Sequence, residues 1–174
     1  GLGIADAGRT LAAHGIGARS TAPQLIAAYL SLGSEPPTGP LLGMLADAGV
    51  ALIVPVLVEG GDLDWTRYRP GDPVTGGLRG TIQPTGPLLG VDAVGSAAIV
   101  LVPALAADRR GGRLGRGGGS YDRALTRVRT GTPIVAVVYD DEVLDEVPMQ
   151  AHDRRVDATL APSGLAIRAQ YPPS

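Results

Sequence analysis

Between Val102 and Leu125 the chain reads VPALAADRRGGRLGRGGGSYDRAL, with glycines at 111, 112, 115, 117, 118 and 119 interleaved with Arg113 and Arg116. Glycines lack a Cβ and tolerate positive φ, so successive backbone N–H groups can converge on one anion. Two guanidinium groups in the same stretch can add charge-assisted bonds to phosphate oxygens. A flexible surface loop would account for the glycines, but not for Arg and Asp placed on both sides of them. The segment is not a Walker A loop, which needs Gly-Lys-Ser/Thr, and Ser120 breaks a G-x-G-x-x-G pattern. Phosphate binding is the chemistry these residue types point to.

Composition narrows the rest. All 15 basic residues are Arg, and the 174-residue chain has neither Lys nor Cys. That excludes lysine Schiff bases, thiol nucleophiles, disulfides and cysteinyl zinc sites. Net charge is -2, yet Asp108–Thr130 holds seven Arg against Asp108 and Asp122, so this window is +5 and the remainder -7. A basic segment in an acidic chain suits a local anion site better than a nucleic-acid surface, and no nucleic-acid partner is expected. A solvated arginine-rich loop is the competing reading on charge alone.

The elements that must position this loop follow from apolar runs. Leu25–Leu32, Val50–Val58, Ala98–Val102 and Ile134–Tyr139 read as buried strands, because continuous apolar character suits a parallel sheet covered on both faces. Pro40–Asp47, ending at Gly49, and Ser120–Val128, with Ser120 as N-cap, read as helices. Gly60–Gly90 reads as short irregular strands and loops. Strand, helix, strand in this order predicts an α/β fold: one three-layer domain over residues 1–174, Rossmann-like, its open, mainly parallel sheet flanked by helices on both faces. The glycine loop then lies beyond the carboxyl end of a strand, where such folds bind ligands. The longest apolar runs are broken by Pro55 and Pro103, and no membrane span, no export signal, a cytoplasmic location and a monomer are expected.

The same residues resemble the signature of the 5-formyltetrahydrofolate cyclo-ligases, also called 5,10-methenyltetrahydrofolate synthetases. The signature P-G-x-x-F-D-x-x-G-x-R-L-G-x-G-x-G-Y-Y-D-R is met at Pro103, Asp108, Gly111, Arg113, Leu114, Gly115, Gly117, Gly119, Tyr121, Asp122 and Arg123. A second element, V-P-x-x-x-H-D-x-x-V-D, matches Val147, Pro148, His152, Asp153, Val156 and Asp157. Glu35 in SEPPTGPLL and GTIQP at Gly80–Pro84 match further parts in the same order, so the resemblance runs from about Leu25 to Pro162.

The resemblance implies an ATP- and Mg²⁺-dependent conversion of 5-formyltetrahydrofolate into 5,10-methenyltetrahydrofolate, with a small-molecule folate as partner. It implies that Gly112, Arg113, Leu114, Gly115, Arg116, Gly117, Gly118, Gly119, Ser120 and Tyr121 surround the triphosphate, with Arg113 and Arg116 as the catalytic cations. It also implies Mg²⁺ at Asp122, with Asp108 as a second candidate, and Glu35 on the folate's amino-pyrimidine. For Asp122 a carboxylate favoured by a helix start, and for Asp108 a structural ion pair, are the alternatives. Trp65 and Tyr68 are expected either to stack on a flat substrate ring or to anchor packing in an aromatic-poor chain. His152 reads as a hydrogen-bonded structural residue.

The sequence departs from the signature at Ala104, Ala107 and Ser120, and lacks the lysine of the family's first helix. These departures motivate a second reading, a paralogue that binds nucleotide or formyl-folate without turnover. Fold analogy alone supports a third, a sugar-phosphate isomerase or CoA-transferase relative.

Overall fold

A computed structural model describes residues 3–15, 24–151 and 153–168; His152 lies outside them. The strands are β1 (Leu25–Ala27), β2 (Ala51–Leu57), β3 (Leu63–Tyr68), β4 (Val74–Gly76), β5 (Ile82–Pro84), β6 (Ile99–Pro103), β7 (Ala106–Asp108), β8 (Arg113–Leu114), β9 (Ile134–Val137), β10 (Val143–Leu144), β11 (Ala158–Ala161) and β12 (Gly164–Ile167). The helices are α1 (Ile4–Gly15), α2 (Gly39–Asp47) and α3 (Ser120–Leu125).

Seven strands form the central sheet in the order β12-β11-β9-β6-β1-β2-β3. The interior pairs β2/β1, β1/β6, β6/β9 and β9/β11 are parallel, while the edge strands β3 and β12 pair antiparallel. Alternation along each strand divides the core in two. Ile26, Leu52, Leu101 and Val135 pack with α1 and α2, and Ala27, Ile53, Val102 and Ala136 pack with α3 and the 3₁₀ turn Val91–Ser96. This is the expected α/β architecture of a mostly parallel sheet with helices on both faces. A methyl on Gly8 would run into Leu41, so α1 reaches α2 closely because residue 8 has no side chain. Among the described residues, no helix is long and apolar enough to cross a membrane.

The chain runs outward through β1, β2 and β3, then returns to lay β6 on the other side of β1. The sheet therefore has a topological switch point between β1 and β6, and the crevice beyond their carboxyl ends is where open α/β sheets bind ligands.

Some elements differ from the sequence expectation. The first strand stops at Ala27 rather than Leu32 because side chains take over its backbone groups: Thr38 Oγ1 accepts from Ser31 N at 3.0 Å and donates to Tyr29 O at 2.9 Å. The helix at 120 is shorter than expected, closing with 3₁₀-type bonds from Thr126 N and Arg127 N. Its N-cap is Gly119, at φ 70°, rather than Ser120. Within Gly60–Gly90, β3 is a regular six-residue strand in continuous register with β2. Helix α1 and the β11/β12 hairpin had no counterpart in the sequence reading.

Candidate active site

The glycine loop begins in a small second sheet, β10-β7-β8, hung beyond the end of β6. Its anchor is Asp108, 3% exposed, whose Oδ1 accepts from Arg110 N and Gly112 N and whose Oδ2 accepts from Val147 N, each at 2.8 Å. Burial works to raise its pKa, but the three N–H bonds prevail and hold the carboxyl below its usual range. A methyl on Gly112 would collide with this carboxylate, so Gly112 serves the turn.

From this anchor, residues 113–122 run along a cleft of about 700 Å³. Arg113 is 8% exposed; its Nη2 lies 3.3 Å from Asp122 Oδ1, its Nη1 donates to Pro103 O at 3.4 Å, and its guanidinium stands 5.8 Å from the Tyr121 ring centroid. Its Nε is buried without a partner. Gly117 and Gly119 take positive φ, 92° and 70°, where other residues would be strained. The opposite wall comes from the segment after β1, where Leu32 N donates to Glu35 Oε2 at 2.7 Å and Arg116 Nη2 lies 3.2 Å from Glu35 Oε1.

Two phenols line the cleft, one from each side. Tyr29 is 3% exposed, lines the cleft and has a buried hydroxyl without a partner. Burial above all, with the nearby carboxylates of Glu35 and Glu142 adding to it, pushes its pKa well above the usual phenol value. Burial likewise raises Tyr121, against the opposing pull of Arg113. Both phenols stay protonated and are hydrogen-bond donors rather than bases.

The cleft thus gathers Glu35, Arg113, Leu114, Gly115, Arg116, Gly117, Gly118, Gly119, Ser120, Tyr121 and Asp122. It does not gather the other four sequence candidates. Gly112 and Asp108 lie outside its lining, the latter with both oxygens engaged and bordering a separate cavity of about 480 Å³. Trp65 is fully buried in the α3-side core, whereas Tyr68, three residues on, packs on the α1/α2 side. Residues an odd number apart on a strand face opposite sides, so these two rings cannot share one site. Neither ring lines the cleft to stack on a ligand. Packing is what the geometry assigns to both.

Sequence reasoning missed Tyr29, Pro55, Arg79 and Met149, all of which line the cleft. Tyr29 stood out as one of five tyrosines in a chain without Phe. Arg79 directly precedes GTIQP, and its proximity to that motif was the available signal.

No cluster of three or more acidic or histidine side chains suited to a metal occurs among the described residues. A single half-buried carboxylate such as Asp122, at the cleft's edge, fits a Mg²⁺ that arrives with phosphate oxygens and water supplying its other ligands.

Residues 7–162 match the profile of a family described as the 5-formyltetrahydrofolate cyclo-ligase family. A protein named 5-formyltetrahydrofolate cyclo-ligase from Mycolicibacterium smegmatis is 42% identical over 144 residues, covering 79% of this chain and 73% of that protein. An Escherichia coli protein of the same name is 29% identical over 141 residues, covering 79% and 78%. Among solved structures, the Aquifex aeolicus 5,10-methenyltetrahydrofolate synthetase superposes with a TM-score of 0.72 at 24% identity, covering 98% of this chain and 84% of that one. The Mycoplasma pneumoniae 5,10-methenyltetrahydrofolate synthetase gives 0.64 at 15% identity, covering 88% and 81%, so these two likenesses concern the fold.

Proposed function

The chain belongs to the 5-formyltetrahydrofolate cyclo-ligase family, and from that premise we propose that it closes 5-formyltetrahydrofolate to 5,10-methenyltetrahydrofolate at the expense of ATP, with Mg²⁺. One observation carries the reading: Glu35, from the segment after β1, and Arg116, from the glycine loop, meet at 3.2 Å in one cleft. In this reading, a carboxylate for the folate lies beside a loop for phosphate.

A formyl oxygen is a poor leaving group. In the proposed sequence it attacks the γ-phosphorus, the bond to ADP breaks, and an imidate phosphate results. N10 then attacks the formyl carbon and loses its proton, and the former formyl oxygen departs with inorganic phosphate. No protein nucleophile is needed, because in-line positioning and charge neutralisation carry phosphoryl transfer. This suits a chain without Lys or Cys.

Arg113, buried against Tyr121 and Pro103, holds its guanidinium toward the phosphates, and Arg116 adds an exposed one. The loop from Gly115 to Gly119 lets phosphate oxygens approach backbone N–H groups. Asp122 would hold Mg²⁺, which neutralises phosphate charge when bound. Glu35 accepts from the amino-pyrimidine donors. Asp108 is given a structural role in this reading, tying the loop to Val147.

The test is ADP release. Release that depends on 5-formyltetrahydrofolate, and that falls at least about tenfold in Arg113→Ala, agrees with the roles assigned here. ADP release indifferent to the folate would contradict them.

A further inference from the structure

Arg79 has φ 54° and ψ 35°, and among the described residues it is the one non-glycine with positive φ. An Arg there lacks the short side chain that lets Asn or Asp bond locally and tolerate this conformation. The turn around it is tightly tied: Gly77 N donates to Thr81 O at 2.7 Å, and Thr81 Oγ1 donates to Leu78 O at 2.7 Å. Gly80, with φ 74°, is its immediate neighbour, so glycine was accommodated in this turn but does not occupy position 79. Strain kept at a residue whose side chain reaches a cleft points to a use for that side chain.

The side chain reaches the glycine loop. Arg79 Nη1 lies 3.7 Å from where a methyl would sit on Gly118, and 3.7 Å from the same point on Gly61 at the β2–β3 hairpin tip. Three arginines line the cleft. Arg113 is held by Asp122 and Pro103 O, and Arg116 by Glu35, but Arg79 makes no hydrogen bond or ion pair among the described residues. An exposed, unpaired guanidinium beside a loop of Cβ-less residues is suited to bind a tetrahedral oxyanion through two N–H groups at once.

We propose that Arg79 is a further nucleotide-binding residue, contacting the phosphate chain from the 77–82 turn across the glycine loop. The inference rests on the reading of that loop as the triphosphate site. It adds a third cation, supplied by a part of the chain remote in sequence from Arg113 and Arg116.

The test titrates wild type, Arg79→Ala, Arg79→Gly and Arg79→Lys separately with Mg·ATP and with 5-formyltetrahydrofolate. Arg79→Ala and Arg79→Gly are expected to weaken Mg·ATP binding about tenfold, leave the folate affinity unchanged, and raise the KM for ATP with little change in kcat. Arg79→Lys recovers part of the loss. Arg79→Gly is expected to melt at or above the wild-type temperature, since glycine relieves the left-handed backbone. Wild-type Mg·ATP affinity in Arg79→Ala overturns the proposal, and so does a loss confined to 5-formyltetrahydrofolate, which would move Arg79 to a substrate carboxylate. A wild-type protein with no affinity for Mg·ATP would instead overturn the loop reading itself.

Discussion

Glu35 and Arg116 stand 3.2 Å apart, Oε1 to Nη2, although Glu35 follows β1 of the central sheet and Arg116, 81 positions later, follows β8 of the small one. This contact engages one edge of the Arg116 guanidinium, and under the proposed function a phosphate would compete with Glu35 for it. In that proposal, a nucleotide that drew Arg116 away would free Glu35 Oε1 to accept from the folate.

Positive coupling between the two substrates follows. Because Arg116 is 61% exposed, its pair with Glu35 is a weak one, and Mg·ATP is expected to tighten 5-formyltetrahydrofolate binding only about two- to fivefold. Arg116→Ala should abolish that enhancement. Folate titrations with and without a non-hydrolysable ATP analogue measure it, and equal enhancement in wild type and variant would count against the exchange of partners.

Asp122 is the proposed Mg²⁺ ligand. Asp122→Asn should shift the Mg²⁺ dependence of turnover to higher concentration while the Arg113 side chain keeps its contacts to Pro103 and Tyr121. An unchanged Mg²⁺ titration would remove Asp122 as the ligand.

A pH effect on stability comes from the hairpin tip. Arg127 grips Asp62 with Nη1 to Oδ1 at 2.8 Å and Nη2 to Oδ2 at 2.7 Å, which holds the Asp62 carboxyl down to about 2 from an ordinary 3.8. The unfolded chain therefore binds this proton at higher pH than the folded one. The stabilisation is complete above the ordinary carboxyl range and is lost as pH falls from there toward about 2. Asp62→Asn should destabilise the protein near neutral pH and lose that effect across the same window. Urea unfolding at several pH values checks this, and a pH-independent difference would contradict it.

Trp65 tests the separation of core and cleft. Trp65→Ala should cost about 3–5 kcal/mol, as removal of a fully buried large ring does. Trp65→Phe should destabilise less and leave the KM for 5-formyltetrahydrofolate unchanged. A raised KM in a variant that still folds would place the indole on the substrate.

The strands β2, β6 and β9 and the helix α2 are legible in the sequence because continuous apolar runs and a Pro-to-Gly span state their periods locally. Strand β3 is not, since Asp64 and Arg67 interrupt its apolar character at a sheet edge. The hairpin β11/β12 is built on short runs such as ATLA and GLAI, whose burial depends on packing against β9 and α1 rather than on their own pattern. The loop residues 113–122 are contiguous, so their composition suffices to collect them. Arg79 and Tyr29 join them only through the return of the chain to the switch point, which no local spacing records. The distinction between Asp108 and Asp122 is likewise tertiary: one carboxylate is saturated by N–H groups from three residues, the other borders the cleft.

The proposed activity of this cleft is closure of the folate ring with ATP as phosphoryl donor. Mixing the protein with 5-formyltetrahydrofolate and Mg·ATP and following near-ultraviolet absorbance of the methenyl product tests it most directly. The expected result is a signal that appears only when the protein, the folate and Mg·ATP are all present. No signal from a folded protein that binds both ligands would contradict it, and would leave a cleft that holds its ligands without turning them over.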